Sequence, residues 1–299
     1  SLTMISPNAF PSYSQYREDT ILLALLDDVH TGFYVDVGAN YSTVDSVTKI
    51  FYDKGWRGVN IEPIPSLYKE LMNDRPEDIN LNVGVGSKKT VLDFFENKTT
   101  PGHSSFNHKQ ASSNENDVIK EYKIPVETLK QIFIDNKVKK IHFLKIDVEG
   151  FEEQVIKGAD WSTFRPEILC IEANYRDSAW QTALANRDYR LFISDGLNEY
   201  YIANESWSRT VNFADKVVKI DYNSLRQHHF ESWTEDSKQL EAITKLNETH
   251  YRLLQRALED NKILRQENEL TLTGKSLQER LKRSAYGLTV DWIQHKKKK

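Results

Sequence analysis

An acidic residue and a glycine turn end the first predicted strand of the chain. Its hydrophobic run is FYVDV, with Asp36 before its last residue and Gly38 and Asn40 directly after it. A glycine at the carboxyl end of a parallel strand lets a ligand approach bare backbone, because no side chain obstructs it. The segment from Gly38 to Thr43 lacks the second and third glycines of a dinucleotide fingerprint. The turn therefore predicts a nucleotide-type crevice and disfavours pyrophosphate binding.

A second acidic residue, Glu62, ends the run GVNIE, 26 positions after Asp36. A carboxylate at this place can accept hydrogen bonds from both hydroxyls of a ribose. The pair of positions predicts an adenosine ligand without phosphates. The alternative is structural, with Asp36 capping a helix and Glu62 solvated.

Further carboxylates follow two later hydrophobic runs. Asp147 and Glu149 come after HFLKI and just before a helix-like stretch, and Glu172 ends EILCIE. Open α/β sheets place ligands at the carboxyl ends of their strands, so Asp147 is the strongest candidate. For Glu152 and Glu153, the favourable field of a helix N-terminus is a sufficient explanation.

Short apolar runs alternate with amphipathic stretches between residues 20 and 203, which predicts a doubly wound α/β sheet of mainly parallel strands. The predicted strands are 32–38, 58–62, 79–86, 91–95, 140–147, 167–173 and 189–194. The predicted helices are 46–55, 65–74, 126–136 and 151–159. Two polar loops, 98–116 and 174–177, are candidates for a substrate lid or for ordinary surface.

Composition argues against membrane-spanning, secreted and nucleic-acid-binding classes of protein. No run approaches the length of a membrane span, and the first residues lack the pattern of a secretion signal. The single cysteine, Cys170, fits a packed strand in a reducing cytoplasm. Residues 1–232 carry a net charge of −8 and residues 233–299 a net charge of +4. The acidic portion disfavours nucleic acid as a partner.

Several of these segments together resemble the FkbM family of S-adenosylmethionine-dependent methyltransferases. They occur in order over about residues 10–205: SQYREDTIL, FYVDVGAN, FYDKGWRGVNIEPIP, RPEDINLNVGVG, HFLKIDVEGFEEQVIKG, RPEILCIEA and DGLNEYY. The resemblance implies a Rossmann-like class I methyltransferase with a seven-stranded sheet whose last strand is antiparallel. It also implies O-methylation of hydroxyls on sugars, glycan chains or macrolides, with S-adenosylhomocysteine as the product.

The resemblance also assigns roles to residues. Asp36, Gly38 and Asn40 match the turn that holds the methionine part of the cofactor, and Glu62 matches the ribose position. Asn82 and Val83 match the segment beside the adenine, and Asp147 matches the position near the sulfonium and the acceptor. Gln15, Tyr16 and Glu18 match an N-terminal motif that closes over the cofactor.

The candidates for the base that takes the acceptor proton are Asp147, Glu149, Glu172, His103 and His108. Asp147 ranks first because a strand end is rigid, whereas both histidines lie in the polar loop. Asp147, Glu149 and Glu172 could also hold Mg²⁺, but such carboxylates occur without metal, so a metal is not favoured.

The residues after 232 differ in character. Residues 233–283 predict a long amphipathic helix that forms a homo-oligomeric coiled coil, or else packs on its own domain. Residues 284–299 form a basic tail that either contacts an anionic membrane face or is simply solvated. The sequence thus predicts domains at 1–232, 233–283 and 284–299.

Two functions follow from this reading. The first is a cytoplasmic O-methyltransferase that acts on a sugar hydroxyl of a polysaccharide or glycolipid. It is either free in the cytoplasm or peripheral to the inner membrane face, where its extension could tether it to membrane-bound assembly machinery. The alternative is a catalytically idle methyltransferase-like protein that presents its coiled coil to partners.

Overall fold

The computed structural model describes residues 10–112, 114–174 and 178–226. The strands in these ranges are β1 Phe10–Ser12, β2 Phe33–Val37, β3 Arg57–Ile61, β4 Ile79–Leu81, β5 Gly84–Val85, β6 Thr90–Asn97, β7 Ile119–Glu127, β8 Phe143–Ile146, β9 Ile168–Glu172, β10 Tyr189–Ser194, β11 Asn198–Ala203 and β12 Ser224–Arg226. The helices are α1 Glu18–Leu25, α2 Lys49–Asp53, α3 Pro65–Asp74, α4 His108–Ala111, α5 Leu129–Asp135, α6 Glu152–Lys157, α7 Ser178–Ala185 and α8 Phe213–Asn223. Short 3₁₀ helices cover Pro101–His103 and Asn204–Thr210.

Seven strands form the central sheet, in the order β10-β11-β9-β8-β2-β3-β4. The pairs from β9 to β4 are parallel, and β11 runs antiparallel to both of its neighbours. This confirms the predicted mainly parallel sheet with a reversed last strand. The chain passes from β2 to β3 on one side and returns to β8 on the other, so a crevice opens at the carboxyl ends of β2 and β8.

Helices cover both faces of the sheet. On one face Val35, Ile61 and Leu144 pack against α5, α6 and α7, and on the other Tyr34 and Phe143 pack against α1, α2 and α8. Successive strand residues alternate between the two cores, so each strand is apolar on both sides. Cys170 is fully buried in the second core, as predicted.

The predicted run 79–86 is not one strand. It divides into β4, on the edge of the central sheet, and β5, which joins a second sheet of order β5-β7-β6. The Asn82 side chain lies between them and donates to the carbonyls of Glu62 and Pro63 at 2.9 and 3.0 Å. These two hydrogen bonds hold the chain after β4 against the end of β3, and β4 ends at Leu81.

The helix predicted over 126–136 begins later, at Leu129. Thr128 caps it by accepting a hydrogen bond from the backbone N–H of Gln131. The residues before it belong to β7, which pairs antiparallel with β6 and was not predicted as a strand.

Within the described ranges, no helix combines the length and apolar character that crossing a membrane requires. The predicted coiled coil at 233–283 and the tail at 284–299 lie outside the described residues.

Candidate active site

The turn after β2 places backbone directly against the end of β8. Gly38 has φ of +78°, and the N–H groups of Gly38 and Ala39 both donate to the Ile61 carbonyl, at 3.0 and 3.1 Å. A Cβ on Gly38 would lie 1.9 Å from the Asp147 carbonyl oxygen. Only glycine fits this place, because both the left-handed conformation and the close approach exclude a side chain.

Glu62 lies at the end of β3 and is 3% exposed. One carboxylate oxygen accepts from the Asn40 N–H at 2.7 Å and the other from the Ile64 N–H at 2.8 Å. A carboxylate oxygen has two lone pairs, so each can still accept one more hydrogen bond. Burial raises the pKa of Glu62 to about 7. The side chain is thus a fixed acceptor whose charge changes near neutral pH.

A cleft opens above this turn. Its polar lining includes Asn40, Glu62, Asp147 and Glu149, together with the backbone of Gly38. Apolar side chains complete the lining: Val37, Ile61, Ile64, Val83, Val85, Phe94, Phe106 and Val148. The cleft combines a flat apolar part with a few polar groups, as small-molecule sites do.

The structure therefore brings six of the predicted site residues to one cleft: Gly38, Asn40, Glu62, Val83, Asp147 and Glu149. The others lie around it without lining it: Gln15, Tyr16, Glu18, Asp36, Asn82, His103 and Glu172.

Asp36 lies beneath the cleft beside a residue that the sequence analysis missed. Lys145 is 9% exposed at its side chain, and its Nζ lies 3.3 Å from Asp36, 3.5 Å from Asp147 and 3.0 Å from the Gly38 carbonyl. Burial alone would lower the pKa of Lys145, but the carboxylates of Asp36 and Asp147 outweigh it and raise that pKa. The charged lysine joins the turn after β2 to the end of β8.

Three carboxylates meet beside this lysine. Oxygens of Asp147, Glu152 and Glu172 all lie within 4.8 Å of one another. Burial, followed by the nearby Asp147, raises the pKa of Glu172, and burial raises the pKa of Glu152 to about 7. The sequence predicts Glu149 together with Asp147 and Glu172, but in the structure Glu152 occupies the place predicted for Glu149. Glu149 lies instead in the cleft wall, with φ of +48°.

The N-terminal motif lies beside β11. Asp19 accepts from the hydroxyls of Ser12 and Ser14, both at 2.7 Å, and so fixes the segment before α1. The Glu18 carboxylate accepts from the Tyr16 N–H at 2.8 Å and from the Asn198 side chain at 3.0 Å. Burial, and then Asp195, raise the pKa of Glu18 to about 7.

The polar loop at 98–116 borders the cleft, and its residues Pro101, Gly102, Ser104 and Phe106 belong to the lining. Ser105 exchanges backbone hydrogen bonds with Phe95 and donates its hydroxyl to the Glu149 carbonyl at 2.8 Å. Phe106 packs on Phe151 with ring centroids 4.7 Å apart. His103 lies in the 3₁₀ turn of this loop, beside the lining residues.

The sequence was compared with known proteins. A search of the curated proteins found no match. Among models of protein families, the Methyltransferase FkbM domain matches residues 36–200, which include every wall of the cleft. Since this match spans more than half of the 299 residues, the chain belongs to the FkbM methyltransferase domain family.

Proposed function

We propose that this chain is an S-adenosylmethionine-dependent O-methyltransferase that acts on a sugar hydroxyl of a polysaccharide or glycolipid. The observation that carries the proposal is Glu62, a buried carboxylate with one free acceptor position on each oxygen, facing the cleft beside the Gly38 turn. Family membership supports methyl transfer. The cofactor is inferred from the chemistry of the cleft, and the acceptor from the resemblance of the sequence to FkbM methyltransferases.

The residues present fit this cofactor. The two Glu62 oxygens suit the two ribose hydroxyls, and the apolar side chains around Val83 and Phe106 suit the flat adenine. Bare backbone at Gly38 leaves room for the amino-acid part. The Asn40 Oδ1 is buried and has no hydrogen-bond partner among the described residues, so it offers an acceptor to the ammonium group.

The cofactor, when bound, supplies a methyl group on a sulfonium. In that transfer the acceptor oxygen would gain the methyl carbon, and the sulfur would keep the electron pair of the carbon–sulfur bond. The chain has to align the acceptor and receive its proton. Asp147 projects from the end of β8 into the cleft and is about one-third exposed, so it can receive that proton. Lys145 holds the Asp147 carboxylate from the side of the sheet.

Calorimetric titration with S-adenosylhomocysteine tests the proposal. We expect wild-type protein to bind in the micromolar range and Glu62→Ala to bind about 10- to 150-fold more weakly, the loss of a charge-assisted hydrogen bond. Glu77→Ala removes a carboxylate that pairs with Arg57 at the surface and should leave binding unchanged. No binding by the intact chain would favour the catalytically idle alternative.

The same titration should depend on pH. The ionised Glu62 accepts from ribose hydroxyls better than the protonated form, and its pKa is about 7. Affinity should therefore increase from about pH 6 to about pH 8. In Glu62→Ala this increase should disappear, and a wild-type profile that is flat over this range would contradict the assignment.

A further inference from the structure

Three carboxylates of the active site form a compact group, of which the methyl-transfer scheme uses only Asp147. They extend from the ends of β8 and β9 and from the start of α6, and their oxygens lie within 4.8 Å of one another. Glu152 and Glu172 are 2% and 7% exposed, and Asp147 is accessible from the cleft. The group thus has two buried members and one that faces the substrate space.

Neighbouring donors fix the two buried side chains. One oxygen of Glu152 accepts from the N–H groups of Val148 and Gly150, at 3.1 and 3.2 Å. The Glu172 Oε1 accepts from the Asn174 side chain at 2.9 Å. The Glu172 Oε2 is buried and has no hydrogen-bond partner among the described residues. Donors that orient carboxylates and leave one oxygen unused are typical of the surroundings of a metal ligand.

The nearest described cation is already engaged. Lys145 donates to the Gly38 carbonyl at 3.0 Å, and its Nζ lies 3.3 Å from Asp36 and 3.5 Å from Asp147. One positive charge thus already faces two carboxylates. Among the described residues, no ion pair reaches Glu152 or Glu172, so a cation bound there would not compete with an existing pair.

We propose that Asp147, Glu152 and Glu172 bind one divalent cation of the Mg²⁺ class. Hard oxygen ligands suit Mg²⁺, whose opposite ligands lie about 4.2 Å apart, so small side-chain rotations would close the group around it. The Asp147 side makes the ion accessible to an acceptor oxygen from the cleft. This inference rests on the proposed function. Asp147 would hold the ion, the ion would lower the pKa of the acceptor hydroxyl, and the hydroxyl proton would pass to water instead of to Asp147.

Titration with Mn²⁺, followed by the electron paramagnetic resonance signal of the free ion, measures binding without any turnover. Wild-type protein should bind about one Mn²⁺ per chain, and excess Mg²⁺ should release it. Glu172→Gln should weaken binding at least about tenfold. Glu153→Gln is the matched control, since it removes the same charge one residue from Glu152 but from a side chain that pairs with Lys157. It should bind Mn²⁺ like the wild type.

Calorimetry with S-adenosylhomocysteine on the same samples separates this inference from the proposed function. Retained nucleoside binding without Mn²⁺ binding would overturn the metal site and leave Asp147 and Glu172 as a proton-sharing carboxyl pair. Equal Mn²⁺ affinity in Glu172→Gln and wild type would also overturn it. If Glu172→Gln loses nucleoside binding through misfolding, Glu152→Gln provides the second test and should weaken Mn²⁺ binding to a similar degree.

Discussion

At position 38 a side chain would meet the backbone of the neighbouring strand, and the chain offers a control for this effect. Gly38 and Gly55 both have positive φ, +78° and +92°, but a Cβ on Gly55 would meet nothing within 4 Å. We expect Gly55→Ala to cost about 1–2 kcal/mol through its conformation alone. Gly38→Ala should cost about 1–3 kcal/mol more because the carbonyl of Asp147 must move. Urea unfolding measures both, and equal losses would contradict the close approach.

Asp147 and Glu149 provide a second comparison at the level of single residues, because both line the cleft. Replacing Asp147 by Asn keeps the shape but removes the charge that receives the proton or holds the cation. Turnover should fall roughly 10²- to 10⁴-fold. Glu149→Gln should have a much smaller effect in the same methyl-transfer assay. Wild-type rates in Asp147→Asn would remove this residue from the mechanism.

The sequence allowed Gly38, Glu62 and Asp147 to be predicted as neighbours, because all three end hydrophobic strands at one edge of the sheet. Lys145 and Glu152 could not be predicted in the same way. Lys145 faces Asp36 because of the register between β8 and β2, in which these two residues are partners. That register depends on pairing between segments more than 100 residues apart. Glu152 does occupy a helix start, as predicted. Its place in the carboxylate group depends in addition on Glu172, the last residue of β9, which the helix pattern does not reveal.

A buried arginine at the end of α3 helps to hold the segment between β2 and α2, together with Glu70 and Asp74, which bind Ser42. Arg75 is fully buried and donates to the Ser42 carbonyl at 2.8 Å, to Ser46 at 3.0 Å and to Thr48 at 3.2 Å. Its guanidinium also lies 3.5 Å from Asp78. This network shapes the chain that follows the ligand turn.

We expect Arg75→Leu to lower the free energy of unfolding by about 3–5 kcal/mol, since it leaves buried acceptors and the carboxylate of Asp78 without their partner. Arg57→Leu removes an arginine that pairs with Glu77 at the surface and should cost at most about 1 kcal/mol. Urea denaturation of both variants gives the comparison. Similar losses would mean that the buried network adds little.

Secondary structure was predictable where burial leaves a strong pattern. Strands β2, β3, β8 and β9 are apolar on both faces and stand out as short continuous runs. β7 has only two buried residues among nine, so its sequence IKEYKIPVE shows a weak apolar pattern, and it also contains a proline; for these reasons the sequence does not predict it as a strand. Antiparallel pairing with β6 holds these residues in a strand, although their composition alone does not indicate one.

For the whole molecule, the sequence divides into an acidic portion before residue 233 and a basic portion after it. We propose that the basic portion oligomerises the chain through residues 233–283. Ending the chain after residue 232 should therefore convert an oligomer into a monomer, as measured by analytical ultracentrifugation at matched concentration. Affinity for S-adenosylhomocysteine should not change, because every cleft residue lies before position 150. The same mass per particle in both forms would contradict the coiled coil.

The short parallel pairing of β1 with β12 joins Phe10–Ser12 to Ser224–Arg226. This clasp, the pairing of β1 with β12, holds the two ends of the described chain together. Ser12 in turn donates a hydrogen bond to Asp19 at the start of α1. Tension applied after Arg226 would therefore be transmitted through this clasp to Glu18 and its neighbours, about 200 positions earlier in the chain. A shortened protein without β12 would leave β1 without its pairing strand. A truncated form of this domain should therefore end after Arg226.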